Sequence, residues 1–301
     1  MKQLNRANAR YFLFAFTWIF QRVSYGFVRG FSAIFIFIGF FCIPHQKKVA
    51  RESLRIAFGE GKTEDEIEAI VQRCFSNLGR GMIELIYIME HPAMIKEKAI
   101  FEGKEHLDRA LALGKGVILV SAHFGSFPLM LLRLAREGYK INAIIRPVRD
   151  EIAEKYFSDK RQQLGINTIY AHQRKQCVDT SIRVLRENQI VFIPLDQHFG
   201  SAGGVYVDFF GQKAATATGP VVFAQRTQAP ILPIFIVRQS DDTHKILIDS
   251  PITIEPKSTD EETVQFNVGK ITQVIEKYIR LYPQEWSWMH RRWKSQSRVN
   301  A

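Results

Sequence analysis

The chain is poor in cysteine. Cys42, Cys74 and Cys177 are the only three in 301 residues. They lie far apart, and their odd number and wide spacing exclude the paired patterns of a zinc site or a redox dithiol. Reduced, partly buried thiols are the expectation, which suits the cytoplasm. A G-x-S-x-G elbow is absent, so an α/β-hydrolase nucleophile is excluded. His123, His172, His198 and the acidic residues show no ligand spacing of the H-E-x-x-H kind, so no metal centre is predicted. Internal repeats and low-complexity linkers are missing as well. Acidic residues are outnumbered, with Asp and Glu at 30 against Lys and Arg at 41, for a formal net charge of +11. That excess favours an anionic partner, whether nucleic acid, phospholipid headgroups or an acidic carrier protein.

What the chain has in abundance is an apolar, aromatic N-terminal stretch. From Tyr11 to Pro44 only Arg22 and Arg29 carry charge. A spanning helix needs about 20 apolar residues, and neither the stretch before Arg22 nor the one after Arg29 is that long. Both flanks are basic, with Lys2, Arg6 and Arg10 before and Lys47, Lys48 and Arg51 after, so the two ends have no reason to lie on opposite sides of a bilayer. Aromatic residues run on where a signal-peptide cleavage site would stand. Residues 1–45 therefore read as a membrane-associated helix or helical hairpin, with the two arginines snorkelling to a headgroup layer. A buried core helix is the other reading.

Residues 46–301 form the remaining domain. Residues 46–100 have helical periodicity, with an acidic first turn after Thr63. Strand-length apolar runs then alternate with amphipathic stretches. GVILVSA (116–122), INAIIR (141–146), INTIY (166–170), QIVFIPL (189–195), ILPIFIVR (231–238) and HKILIDSPITI (244–254) read as strands. PLMLLRLAREG (128–138), residues 151–165 and residues 261–282 read as helices. The fold class is therefore α/β, a single mixed or parallel sheet flanked by helices.

Within VILVSAHFGSFPLMLLRLA, a buried-type strand ends at Ser121 or Ala122, a short turn carries His123, and Pro128 opens a helix. Ligands bind at strand C-terminal ends in open α/β sheets, and proline at a first helical position is structurally ordinary. The turn should aim helix N-terminal amides at whatever His123 touches, a setting for an oxyanion. A lone histidine there is by itself more often structural than a base. Asp196 follows QIVFIPL at a second strand end. It either approaches His123 or caps the glycine-containing turn at 198–204.

ESLRIAFGE (52–60), SAHFGSF (121–127), IIRPVRD (144–150), IPLDQHFG (193–200), VYVDFFGQKAATATGP (205–220) and YPQEWSWMHRRWK (282–294) occur together and in order. In these segments the sequence resembles the lipid A biosynthesis acyltransferase family, the late lauroyl and myristoyl transferases and their phosphatidylinositol mannoside relatives, over most of its length. The resemblance implies a glycerolipid-acyltransferase-like fold. It also implies transfer of an acyl group from a thioester to a hydroxyl of a lipid A precursor-like acceptor, at the cytoplasmic face of the inner membrane, with no cofactor besides the donor. In that family the histidine is followed five positions later by Asp or Glu. Here that position is Pro128, which can neither fix the imidazole tautomer nor stabilise the imidazolium.

His123 and Asp196 are accordingly the candidate catalytic residues. Candidate substrate-binding residues are Gly125 and Ser126 in the histidine turn, Arg146 and Arg149 at a strand end, Gln197, and Thr216 and Thr218. The two threonines should cap the helix VVFAQRT while their loop lines an acyl groove. Arg146 is the expected contact for an anionic headgroup or donor phosphate, and His198 a spectator or headgroup contact. WSWMHRRWK has the composition of an aromatic and cationic membrane interface. The expected partners are membrane lipids and acyl carrier protein or acyl-coenzyme A, both anionic, with no nucleic acid and a monomeric chain. An acyltransferase for another lysophospholipid, glycolipid or aminolipid, and a catalytically impaired lipid-binding relative, are the alternatives.

Overall fold

The computed structural model describes residues 11, 13–200 and 203–294. After a helical stretch over 13–20 come helices α1 (Tyr25–Phe41), α2 (Pro44–Phe58) and α3 (Glu64–Glu90). Thr63 and Glu66 start α3 with a reciprocal capping box, which satisfies amides that no helix can pair internally. The α1 helix lies on α3 so closely that a Cβ on Gly79 would stand 2.8 Å from the Ile36 side chain.

A seven-stranded sheet follows, built from β1 (Ala99–Glu102), β2 (Val117–Ser121), β3 (Ile141–Ile145), β4 (Ile166–Tyr170), β5 (Ile190–Pro194), β8 (Ile231–Arg238) and β9 (His244–Ile248). Its order is β1-β9-β8-β2-β5-β3-β4. The five strands from β8 to β4 are parallel, whereas β9 runs antiparallel to β8 and carries β1 parallel to itself. The connecting helices are α4 (Lys104–Ala112), α5 (Phe127–Arg136), α6 (Glu151–Gln163), α7 (Arg174–Arg186) and α8 (Gly219–Thr227), and α9 (Asp260–Leu281) comes last.

Every residue of β2 is buried, as expected of a central parallel strand covered on both faces. Its alternation splits the core in two. Ile118 and Val120 pack into one layer with Ile193, Phe235 and Ile271. Val117 and Leu119 pack into the other with Leu129, Phe192 and Ile236.

Three expectations are corrected here. The helical reading of 46–100 runs past the start of β1 at Ala99. The strand over 244–254 stops at Ile248, after which Ile252 makes an isolated bridge to Ile231. The loop before VVFAQRT is instead a two-stranded antiparallel hairpin, β6 (Gly204–Phe209) with β7 (Gln212–Ala217).

Candidate active site

Parallel register assembles the site. Ser121 at the end of β2 pairs with Pro194 at the end of the adjacent β5. His123 and Asp196 each lie two residues beyond that pair, so the chain carries both to the same level above neighbouring strands. Their side chains meet there, with His123 Nδ1 and Asp196 Oδ1 2.8 Å apart.

The C-terminal segment completes the arrangement. Residue 124 bridges residue 286, the Gly125 amide donates to the Glu285 carbonyl oxygen (2.7 Å), and the Ser287 amide donates to that of His123 (3.2 Å). This docking requires glycine at 125, where φ is +53° and a Cβ would stand 2.2 Å from the Ile236 carbonyl oxygen. Trp286, fully buried, is thereby placed so that its indole Nε1 donates to Asp196 Oδ2 at 2.8 Å. Buried Arg292 pins the same loop by donating to the carbonyl oxygens of Gln197 and Ala215 and to Thr216 Oγ1.

Electrostatics follow from the geometry. Burial raises the cost of ionising Asp196, yet the facing imidazole, its hydrogen bond and the Trp286 donor hold the carboxyl well below the usual carboxylate range. Burial also opposes protonation of His123, but the charge and hydrogen bond of Asp196 outweigh it and raise the imidazole above its ordinary value. A carboxylate at Nδ1 selects the tautomer with its proton on that nitrogen. Nε2 is left as an acceptor, and the Gln197 amide nitrogen lies 3.2 Å from it.

His123 borders two cavities. The larger, about 560 Å³, is walled by Leu131, Ile145, Phe157, Leu164 and Phe192, with Arg146 and Arg161 also lining it. Its size and apolar walls suit a ligand pocket. Pro128 is one of its wall residues, so the position where the family carries an acid faces hydrocarbon-like surroundings here. The smaller, about 240 Å³, lies between α3 and the C-terminal segment and includes Cys74, Asn77, Ser126, Glu285 and His290.

Comparison with known proteins gives the family. Residues 3–295 match the family described as bacterial lipid A biosynthesis acyltransferase. The chain belongs to that family. Relatives include the lipid A biosynthesis palmitoleoyltransferase of Escherichia coli K12, 26% identical over 257 residues that cover 84% of this chain and 80% of that one. The lauroyltransferase of the same organism is 26% identical over 255 residues, covering 84% and 80%. A phosphatidylinositol mannoside acyltransferase of Mycobacterium tuberculosis is 26% identical over 147 residues, covering 48% and 46%. Among solved structures, the 1-acyl-sn-glycerophosphate acyltransferase of Thermotoga maritima matches at 14% identity over 77% of this chain and 95% of that one, with a TM-score of 0.36.

In this acyltransferase the residues singled out from the sequence separate into two groups. His123, Asp196, Gln197, Gly125 and Ser126 are together, and Arg146 borders the larger cavity. Arg149 is exposed and lines neither cavity beside His123. Thr216 and Thr218 do not cap α8. Thr216 is buried and donates to the Ala214 carbonyl oxygen, Thr218 donates to that of Gly203, and the helix starts with no side-chain cap. Of their loop, only Ala217 reaches the larger cavity. The amide of Gly125, a candidate substrate-binding residue, is committed to the Glu285 carbonyl oxygen. His198 lines the larger cavity, where burial lowers its pKa.

Two further readings change. WSWMHRRWK is not an aromatic surface, because Trp286, Trp288, Arg292 and Trp293 are all buried and only Arg291 and Lys294 are exposed. Cys42 is exposed, whereas Cys74 and Cys177 are buried. The candidate site therefore also contains Trp286, Glu285 and His290, which the sequence reading did not assign to it. The signal was the tryptophan cluster in segment 282–294, which the sequence reading assigned to a membrane interface. A buried tryptophan needs a partner for its N–H.

Proposed function

We propose that the protein transfers a fatty acyl group from an acyl thioester, carried by acyl carrier protein or coenzyme A, to a hydroxyl of a lipid A precursor-like acceptor. One observation carries this reading. A histidine with its Nδ1 held by a buried carboxylate presents an unprotonated Nε2 at the border of a large apolar cavity. The acceptor oxygen bonds to the acyl carbonyl carbon as its proton passes to His123 Nε2. The carbon–sulfur bond then breaks, and the proton leaves with the departing thiolate. Asp196 stabilises the imidazolium between these events, and Trp286 holds the carboxylate in place. Gln197, the amide donor beside Nε2, stabilises the oxyanion, and Arg146 meets the anionic donor. Cys74 plays no nucleophilic part, because burial pushes its thiol up to about 12.

The reaction takes place at the cytoplasmic face of the inner membrane. Among the described residues no single helix is long and apolar enough to cross, and only α1 taken together with residues 44–61, a pair bent by 82°, has the combined length and composition. Phe27, Ile34, Phe37, Ile38 and Phe41 on α1 are exposed. An apolar face of that extent supports a helix lying in the headgroup layer, and the net charge of +11 supports attraction to anionic lipid and to an acidic carrier. Purified protein given lauroyl-coenzyme A and lauroyl acyl carrier protein, with a lipid A precursor or a lysophospholipid, should yield an acylated lipid detectable by mass. His123→Ala should abolish it. Absence of product from the wild type with every pairing would favour a lipid-binding relative without turnover.

A further inference from the structure

The two cavities that meet at His123 lie on opposite sides of the β2 end. The larger is lined from β3 and β5, on one flank of β2 in the sheet order. The smaller is lined by Arg238 of β8 and His244 of β9, on the other flank, and by α3 and the C-terminal segment. A two-substrate transfer needs two approaches to one base, and this site has two.

Their chemistry differs. The larger cavity is mostly hydrocarbon in character. The smaller holds hydrogen-bonding groups that the fold leaves partly unused. The Glu285 carboxyl is buried, accepts from Asn77 Nδ2 at 2.9 Å, and makes no ion pair among the described residues. Burial pushes it up to about 7, against the opposing charge of Arg238. Arg238 itself is engaged by Glu84 and Asp242. The His290 ring lies 5.1 Å from that of His123, and burial pushes its pKa down. His244, 1% exposed, has an Nε2 with no hydrogen-bond partner. With Arg238, the cation lining this cavity, already held by Glu84 and Asp242, amide and imidazole groups beside a buried carboxyl suit an uncharged hydroxylated group and disfavour a phosphate.

We propose that the smaller cavity is the acceptor subsite, which receives the uncharged, hydroxyl-bearing part of the lipid between Asn77, Glu285 and His290, while the larger cavity takes the acyl chain of the donor. The inference rests on the acyltransferase reading above. It makes Glu285 and His290 contacts to the acceptor, and it sends the acceptor hydroxyl to His123 from the α3 side.

Two variants test it. Leu78 borders the smaller cavity and is 37% exposed, so Leu78→Trp narrows that cavity without opening the core. Ile145→Trp obstructs the larger one. With lauroyl-coenzyme A as donor and a lipid A precursor in mixed micelles as acceptor, Leu78→Trp should raise the acceptor KM at least tenfold and leave the donor KM within twofold. Ile145→Trp should do the reverse. Equal thermal midpoints for Leu78→Trp and wild type keep the comparison free of unfolding. A rise in donor KM for Leu78→Trp, or no change in either constant, overturns the subsite. Absence of transfer by the wild type overturns the acyltransferase reading on which it rests, and is distinguished from the first result by the missing product.

Discussion

Ninety positions separate Asp196 from the indole that donates to it, and three residues rather than two set the chemistry of His123. Asp196→Asn should lower kcat by roughly two to four orders of magnitude, by analogy with the orienting aspartate of serine proteases. Since the carboxylate raises the His123 pKa, its loss should also shift the acid limb of the pH profile to lower pH. Trp286→Phe keeps the ring and removes the donor, so a smaller fall in kcat is expected, with the limb displaced upward because Asp196 becomes more basic. A pH series of kcat/KM for the three proteins checks both.

Glu285 gives a stability prediction at the same scale. Its carboxyl titrates near 7 in the folded protein against roughly 4.3 in an unfolded chain. Between those values the folded state holds the extra proton, so stability falls as pH rises through this window and levels off above it. Glu285→Gln keeps an oxygen acceptor for Asn77 and removes the titration. It should flatten that slope and stabilise the protein at pH 8 by up to about 4 kcal/mol, at about 1.4 kcal/mol per pKa unit, as read from urea midpoints across pH 5–8. His123 and Asp196 were legible in the sequence because each ends a strongly apolar strand. Glu285, Trp286 and His290 were not, because their contacts arise from docking of the C-terminal segment, which local periodicity does not record.

Elements obey the same division. The long apolar strands and capped helices stand out from pattern alone, since their residues answer to neighbours three, four or two positions away. The β6–β7 hairpin is hidden because Phe210 and Gly211 both take positive φ, +54° and +71°, and phenylalanine at such a position is a poor advertisement for a turn usually signalled by Asn-Gly. β1, only four residues long, follows helical sequence directly and lacks a separate signature. Gly125 is where element geometry is least forgiving. Gly125→Ala combines a strained backbone with a backbone clash at 2.2 Å, and should cost more than about 2 kcal/mol in denaturant titration. The loss should be accompanied by quenching changes in Trp286 fluorescence as its segment shifts.

At the scale of the whole molecule, the exposed aromatic face of α1 and the cationic balance of the chain should act together on membranes. Phe37→Ser with Ile38→Ser removes two exposed apolar side chains. Burial of each in lipid is worth about 1.5–3 kcal/mol, so binding to vesicles with anionic lipid should fall more than tenfold in co-sedimentation, with the thermal midpoint nearly unchanged. Raising salt should weaken the wild type further. Six of the seven strands of the sheet and several of its flanking helices were readable from alternation. Which residues of the last turn and tail are interior was not, because tryptophan and arginine serve a membrane surface and a packed core equally well.

The bridge between residues 124 and 286 also sets a timetable. Residues 123, 196 and 286 are made in that order, so His123 and Asp196 are in place along the chain before the indole that anchors the carboxylate. Until the segment carrying Trp286 docks, Asp196 lacks that donor, and the pair should gain its final pKa values only in the last step of folding.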